Sequence, residues 1–260
     1  MGNSSPSATS QKSQTPFPPD AFNPWLTIAT LLGVPLVVIA VGMIFLLATR
    51  SQGAATSSQA LEVSLRGVHL LIVVEIAAVV YLFLVLPYLA KTSLRRLGFR
   101  SLTLSDIGYI AAATLAMVVV TNGTASLLQA AFHTKVNEAA MNTYLSMKTP
   151  LAKAQFALLG VLVAAVFEET LFRFLIFNAV RKWSGFWTGA IVSGALFGLA
   201  HLQAAPLLQN IELALPLGLG GVLLCAVYAK TRNAYAPIVT HGIFNAVTLV
   251  ALLFAPQLAK

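Results

Sequence analysis

Two adjacent carboxylates, Glu168 and Glu169, stand in a stretch from Ala157 to Phe177 that is otherwise nearly all Leu, Val, Ala and Phe. Only Thr170 and Arg173 add further polarity there. A carboxylate at membrane depth costs at least ~2.5 kcal/mol, so such residues face a protein interior or a wet cavity and are functional candidates by default. Glu169 and Arg173 are four residues apart, on one helix face, where they can form an ion pair. Glu168 is rotated from Glu169 by ~100°, which leaves it free for chemistry. Two further pairs repeat the one-turn spacing: Phe197 with His201, and His241 with Asn245. One segment thus offers a carboxylate, a second an imidazole, and a third an imidazole and a carboxamide. Taken singly, each has a plainer reading as a buried, hydrogen-bonded packing residue, and Asn commonly bridges membrane helices. Their convergence in the last third of the chain favours a shared polar site.

Composition dictates what must position these groups. The 260 residues are 58% hydrophobic and only 9% charged, with a mean hydropathy of +0.83. Soluble domains carry about 25% charged residues. The expected fold is therefore all-α, a polytopic membrane bundle of about seven transmembrane helices. Seven apolar runs approach the ~20 residues that a bilayer requires: Pro24–Ala48, Val68–Ala90, Ile107–Leu128, Ala154–Phe177, Phe186–Leu202, Pro206–Tyr228 and Ala234–Ala255. The fifth is short, and Pro206 or Pro216 is expected to break or tilt the sixth. Residues 131–153 mix polar and apolar types and read as a segment on the membrane surface. Four parts follow: a disordered polar tail over 1–23, three spans and their connectors over 24–153, a site-bearing helical core over 154–255, and a short tail over 256–260. The Ser-, Thr-, Gln- and Pro-rich tail cannot bury a core and lacks the apolar run of a signal peptide.

The net charge of +8 does not indicate nucleic acid, because no continuous basic face or aromatic–basic motif is present. The basic residues mostly flank the apolar runs. Lys12, Lys91, Arg95, Arg96, Arg100, Arg181, Lys182, Lys230 and Arg232 fall on one side; Arg50, Arg66, Lys135, Lys148, Lys153 and Lys260 fall on the other. This bias puts the N-terminus inside and the C-terminus outside. Cys225 is the single cysteine, so no intrachain disulfide forms, and it reads as a small core residue.

The three pairs resemble the motifs of the CPBP family, the type II CAAX prenyl endopeptidases and their bacterial relatives. Glu168-Glu169-Thr170-Leu171-Phe172-Arg173 is similar to E-E-x-x-x-R, Phe197 to His201 resembles F-x-x-x-H, and His241 to Asn245 resembles H-x-x-x-N. The resemblance covers about Phe156–Phe254. It implies an intramembrane endopeptidase acting on a membrane-associated protein or peptide, and a multi-pass location, the plasma membrane for a bacterial protein. Carried over residue by residue, it implies that Glu168 and His201 activate water. It implies further that His241 and Asn245 stabilise the oxyanion and that Glu169 and Arg173 support them. Amide hydrolysis needs such a base and such donors. No cofactor is certain. A divalent metal such as zinc is the second option, with Glu168, His201 and His241 as a His₂Glu ligand set; glutamate-activated water is preferred over tightly held zinc.

Two departures matter. Phe174 follows Arg173 where the family usually has Gly, and is expected to narrow the approach to the site. The chain ends after the seventh span, where eukaryotic CAAX members have an eighth helix, so prenylated substrates are less expected than the catalytic core. Depth poses a puzzle. At 1.5 Å per residue from the inner ends of the spans, Glu168 lies ~14 Å deep, His241 ~10 Å, Asn245 ~16 Å and His201 ~22 Å. His201 is out of line by roughly 8 Å. Glu75, in the second span, falls outside every motif and is read as a cavity or packing residue, with a catalytic role the lesser option. His69 and His133 read as interfacial. Two other function classes stay open, a non-catalytic scaffold or immunity protein and a transporter. The intact set of four polar residues disfavours a scaffold, and the crowding of polar residues into one third disfavours the paired halves of a transporter.

Overall fold

The computed structural model describes residues 24–49, 59–89, 91, 93–134 and 139–254. The polar tail over 1–23, the last residues 255–260 and the basic residues Lys12, Arg50, Lys135 and Lys260 lie outside that set. Among the described residues the structure is entirely helical, with no strand. The helices are α1 (Pro24–Thr49), α2 (Gln59–Leu89), α3 (Leu104–Phe132), α4 (Ala139–Ser146) and α5 (Pro150–Leu158). A π-helical turn, Leu159–Ala164, leads into α6 (Ala165–Glu169), and a second, Thr170–Phe177, leads into α7 (Asn178–Leu199). The chain ends with α8 (Leu207–Thr231) and α9 (Tyr235–Phe254). Among the described residues six stretches are long and apolar enough to cross a bilayer. With Leu32, Leu36, Leu84, Leu115 and Leu127 turned outward, the chain is a multi-pass membrane protein.

One of those stretches, Pro150–Leu199, is 50 residues long, about 75 Å as one helix and far longer than a bilayer is thick. It is folded in two at Gly185, whose φ of 80° and ψ of 178° suit only a residue without Cβ. The halves pack back on each other. Phe177 meets Phe186 edge-on, Phe172 meets Phe197 edge-on, and the Ser193 hydroxyl donates to the Phe172 carbonyl at 2.8 Å. The hairpin therefore contains the fourth and fifth of the seven expected spans. Its tip carries Trp183 and Trp187, both about two-thirds exposed, as suits aromatic residues at a membrane interface.

The hairpin also bears on the depth of His201 relative to Glu168. The fourth span was expected to end at Phe177, but the helix runs on to the turn at Gly185. The extra turns, with Asn178, Arg181 and Lys182, are polar in sequence, and hydropathy truncates them. Their seven residues to Ser184 add about 10 Å, which brings Glu168 level with His201 across the hairpin.

Small residues fix the next interface. A Cβ on Gly194 would stand 2.6 Å from the Gly218 carbonyl oxygen, and one on Gly198 would collide with the Ala214 carbonyl. α7 and α8 thus cross with their backbones in contact, the close approach that small residues permit. The face of α8 at Gly220 receives Thr121 and Met117 of α3. Pro206 precedes α8, and Pro216 lies within it without ending it; the expected break is absent. The expected surface segment contains α4, which at 8 residues is too short to cross.

The basic loops meet at one end of the bundle. Arg100 donates to both carboxylate oxygens of Asp106, at 2.9 and 3.2 Å, and to the Thr231 carbonyl at 2.8 Å. Asn233 donates to Asp106 at 3.2 Å, and the Tyr228 hydroxyl donates to the Leu97 carbonyl at 3.0 Å. Thr103 and Asp106 cap α3 reciprocally, satisfying two backbone donors at its start. Phe174 belongs to this region. It is fully buried against Phe99 and Tyr228. It fills the core rather than narrowing the approach to the polar site.

Candidate active site

α6 is only five residues long and sits between two π-helical turns. Such turns widen the helix locally and occur often at functional sites. They present Glu168 and Glu169 to different neighbours. Glu169 is fully buried, as is Arg173, and Arg173 Nη1 donates to Glu169 Oε1 at 2.8 Å. The guanidinium also donates to the Gly221 carbonyl at 3.2 Å and lies 4.5 Å from the centroid of the Phe197 ring, a cation–π contact. Gly221 is required here, because a Cβ there would stand 2.9 Å from the Gly194 Cα.

Glu169 does more than pair with Arg173. Its Oε1 lies 2.9 Å from Nδ1 of His241 on α9. That contact turns the other ring nitrogen, Nε2, toward Glu168, whose Oε2 is 3.8 Å away. His241 is buried, whereas the Glu168 side chain keeps 19% of its exposure. Oε2 of both carboxylates lacks a hydrogen bond, but Glu169 is held through Oε1 by Arg173 and His241, whereas Glu168 is partly open. Sequence spacing identifies the Glu169–Arg173 pair but not this second link, which joins residues 72 apart.

Asn245 lies one turn beyond His241 on α9. Its Nδ2 donates to the Gly160 carbonyl at 2.8 Å, on the first π-helical turn. α9 approaches that turn closely, since a Cβ on Gly242 would stand 2.7 Å from the Val161 carbonyl oxygen. A π-helical turn leaves some carbonyls without their usual helical donor, and Asn245 uses one of them.

His201 was expected within an apolar helix. It lies instead just past the end of α7, in the turn that leads to α8. Its backbone N–H donates to the Gly198 carbonyl at 3.1 Å, and its Nδ1 is 2.8 Å from the Phe197 carbonyl oxygen. Its ring packs on Phe197, centroids 4.9 Å apart, while His241 meets the same ring at 5.7 Å. Phe197 is therefore the common wall of both imidazoles and of Arg173.

The donor types of Glu168, His201 and His241 suit zinc, and Glu169 behind His241 is the kind of outer partner that metal-bound imidazoles use. A metal also requires the three donors to converge on one point. Among the described residues, no group of three His, Cys, Asp or Glu side chains is gathered closely enough to hold an ion. The expected three-ligand set is therefore not assembled in this arrangement.

Glu75 was read from sequence as a residue outside the motifs. Its helix, α2, packs on α6 and on both π-helical turns. His69 lies on α2 and His133 at the C-cap of α3, and neither enters the hydrogen-bonded site. Cys225 is free and buried.

Residues 150–247 match the family model described as "Type II CAAX prenyl endopeptidase Rce1-like". The chain is also similar to the "Putative membrane peptidase YdiL" of Bacillus subtilis (strain 168), 24% identical over 178 residues, which cover 68% of this chain and 69% of that protein. No solved structure matches. The matched segment contains Glu168, Glu169, Arg173, His201, His241 and Asn245, and over it the chain is similar to the Rce1-like type II CAAX prenyl endopeptidases.

Proposed function

We propose that the protein hydrolyses a peptide bond in a membrane-associated protein or peptide, with lipid-modified chains among its substrates, using Glu168 as the general base. The observation that carries this reading is the fixed direction of His241: Nδ1 held on Glu169 at 2.9 Å and Nε2 aimed at Glu168 from 3.8 Å. In the reaction Glu168, assisted by His201, takes a proton from water as the water oxygen attacks the substrate carbonyl carbon. The developing oxyanion accepts hydrogen bonds from His241 Nε2 and from the second hydrogen of Asn245 Nδ2, the first being spent on Gly160. The proton held by Glu168 then passes to the leaving nitrogen. Donation from Nε2 requires the doubly protonated ring, and Glu168 and Glu169 on its two sides are the counter-charges which that form needs. Preset donors aimed at a developing charge cost no reorganisation during the reaction.

The test is cleavage of lipid-modified and unmodified peptides by the purified chain in detergent, wild type against Glu168→Gln. Gln keeps the shape and removes the basicity. Loss of a general base costs about 10²–10⁴-fold. A Glu168→Gln protein that cleaves as fast as wild type refutes the mechanism. A wild-type protein that cleaves nothing refutes the activity.

A further inference from the structure

Three buried carboxylate oxygens in and beside the site, Glu75 Oε2, Glu168 Oε2 and Glu169 Oε2, have no hydrogen-bond partner, and Glu169 is already held through Oε1 by Arg173 and His241. Glu75 is carried by α2, outside the segment that matches the family model. Two apolar clusters fix its height. Val68 and Ile72 of α2 pack with Leu159 and Val163 below it. Ala78 and Leu82 pack with Leu171, Phe174 and Leu175 above it. Glu75 lies between these clusters on α2, as Glu168 does on the facing segment. α2 packs directly on α6, the helix that carries Glu168.

The charges around them can be counted. α1, which packs on α2, has no ionisable side chain over Pro24–Thr49, and neither has the first π-helical turn. Lys153 of α5 is engaged over the Tyr144 ring, 5.5 Å from its centroid. On α2 itself, Glu62, Arg66 and His69 lie at least six residues away. α6 and the second π-helical turn contribute Glu168, Glu169 and Arg173. Glu169 and Arg173 cancel as an ion pair. His241 then remains as one potential cation against two carboxylates, Glu168 and Glu75. Like charges brought together in a site of low polarity do not both ionise; such a pair retains a proton. Glu168 has the His241 ring beside it.

We propose that Glu75 is a positioning residue for the reaction, a neutral carboxylic acid whose O–H is given to Glu168 Oε2, directly or through one water, so that Glu168 stays ionised and aimed. One proton between the two carboxyl groups gives Glu75 Oε2 and Glu168 Oε2 a partner. This inference rests on the peptidase reading of Glu168.

The experiment uses the full chain in detergent with two substitutions of similar size. Glu75→Gln keeps a neutral donor and should cleave within about threefold of wild type. Glu75→Leu keeps the volume but donates nothing. It should fold with an unfolding temperature no lower than wild type, yet lose about tenfold or more in kcat with KM within about twofold, as loss of an interaction made in the transition state does. A purely structural Glu75 would not separate these two variants. Independently of activity, the infrared spectrum at neutral pH should contain the carbonyl stretch of a protonated carboxylic acid, lost in Glu75→Gln. Active wild type without that band, or Glu75→Leu as fast as wild type, overturns the inference. Should the peptidase reading itself fail, wild type would cleave nothing while the band persisted.

Discussion

Oε1 of Glu169 lies 2.9 Å from Nδ1 of His241, and the same oxygen accepts from Arg173 at 2.8 Å. A single carboxylate oxygen of α6 therefore joins the second π-helical turn to α9. The consequence is a division of work within the Glu168–Glu169 pair. The fully buried carboxylate is consumed by orientation, and the partly exposed one faces the space beyond Nε2. Glu169→Gln should thus reduce kcat in the protein that folds, and it should also lower the unfolding temperature, because the buried Arg173 charge loses its partner. An orienting carboxylate behind a catalytic imidazole is worth up to ~10⁴-fold. Steady-state kinetics should show the loss in kcat rather than in KM. Equal kcat in wild type and Glu169→Gln would remove Glu169 from the mechanism.

Arg173 has a different expected signature. It is fully buried, and its removal leaves the Glu169 charge and the Gly221 carbonyl facing an apolar ring. Breaking a buried pair by removing one partner costs about 3–5 kcal/mol. Arg173→Ala should therefore lower the yield of folded protein and its unfolding temperature, together with activity. Thermal unfolding in detergent checks this. A fully folded and fully active Arg173→Ala protein would show the pair to be dispensable.

The α7–α8 crossing predicts a contrast among glycines. A methyl group at Gly198 meets the Ala214 carbonyl, which is backbone and cannot move aside, whereas one at Gly123 meets nothing within 4 Å. Overpacking typically costs about 1–3 kcal/mol. Gly198→Ala should be destabilising by at least that much, and it should also slow cleavage, because His201 begins three residues later. Gly123→Ala removes a helix-interior glycine at no steric cost and should be neutral or stabilising by roughly 0.4–1 kcal/mol. Paired melting curves distinguish the two sites.

What the sequence reveals about this site follows the range of the interactions. The Glu169–Arg173 pair is local, four residues apart, and helical geometry alone anticipates it. The link from Glu169 to His241 spans 72 residues and has no local signature. The link from Asn245 to Gly160 depends on a π-helical turn that no periodicity over Leu159–Ala164 announces. His201 was misplaced for a related reason. Hydropathy ends a span where polar residues begin, so Asn178 to Ser184 were trimmed from the fourth helix although they remain helical and carry it to Gly185. The glycine itself was visible, but its φ of 80° was not. Glu75 was visible as an anomaly in an apolar helix, and only the packing of α2 on α6 gives it a neighbour.

The arrangement of Glu168, Glu169 and His241 makes a last prediction, about coupling. In the proposed reaction Glu168 removes the proton and His241 steadies the oxyanion, and both act on one tetrahedral centre. Residues that act as a unit are strongly non-additive in their kinetic effects. Glu168→Gln and His241→Ala should each remove most of the activity, and the double variant should be about as slow as the slower single one, within roughly tenfold. Independent contributions would instead multiply. The cycle requires that His241→Ala be folded. His241 is buried and accepts the attention of Glu169, so His241→Gln, which retains a donor toward Glu169, serves as the parallel arm. If single-turnover cleavage by the double variant falls by the full product of the two single losses, Glu168 and His241 do not share one reacting centre. The 3.8 Å approach between them would then be structural.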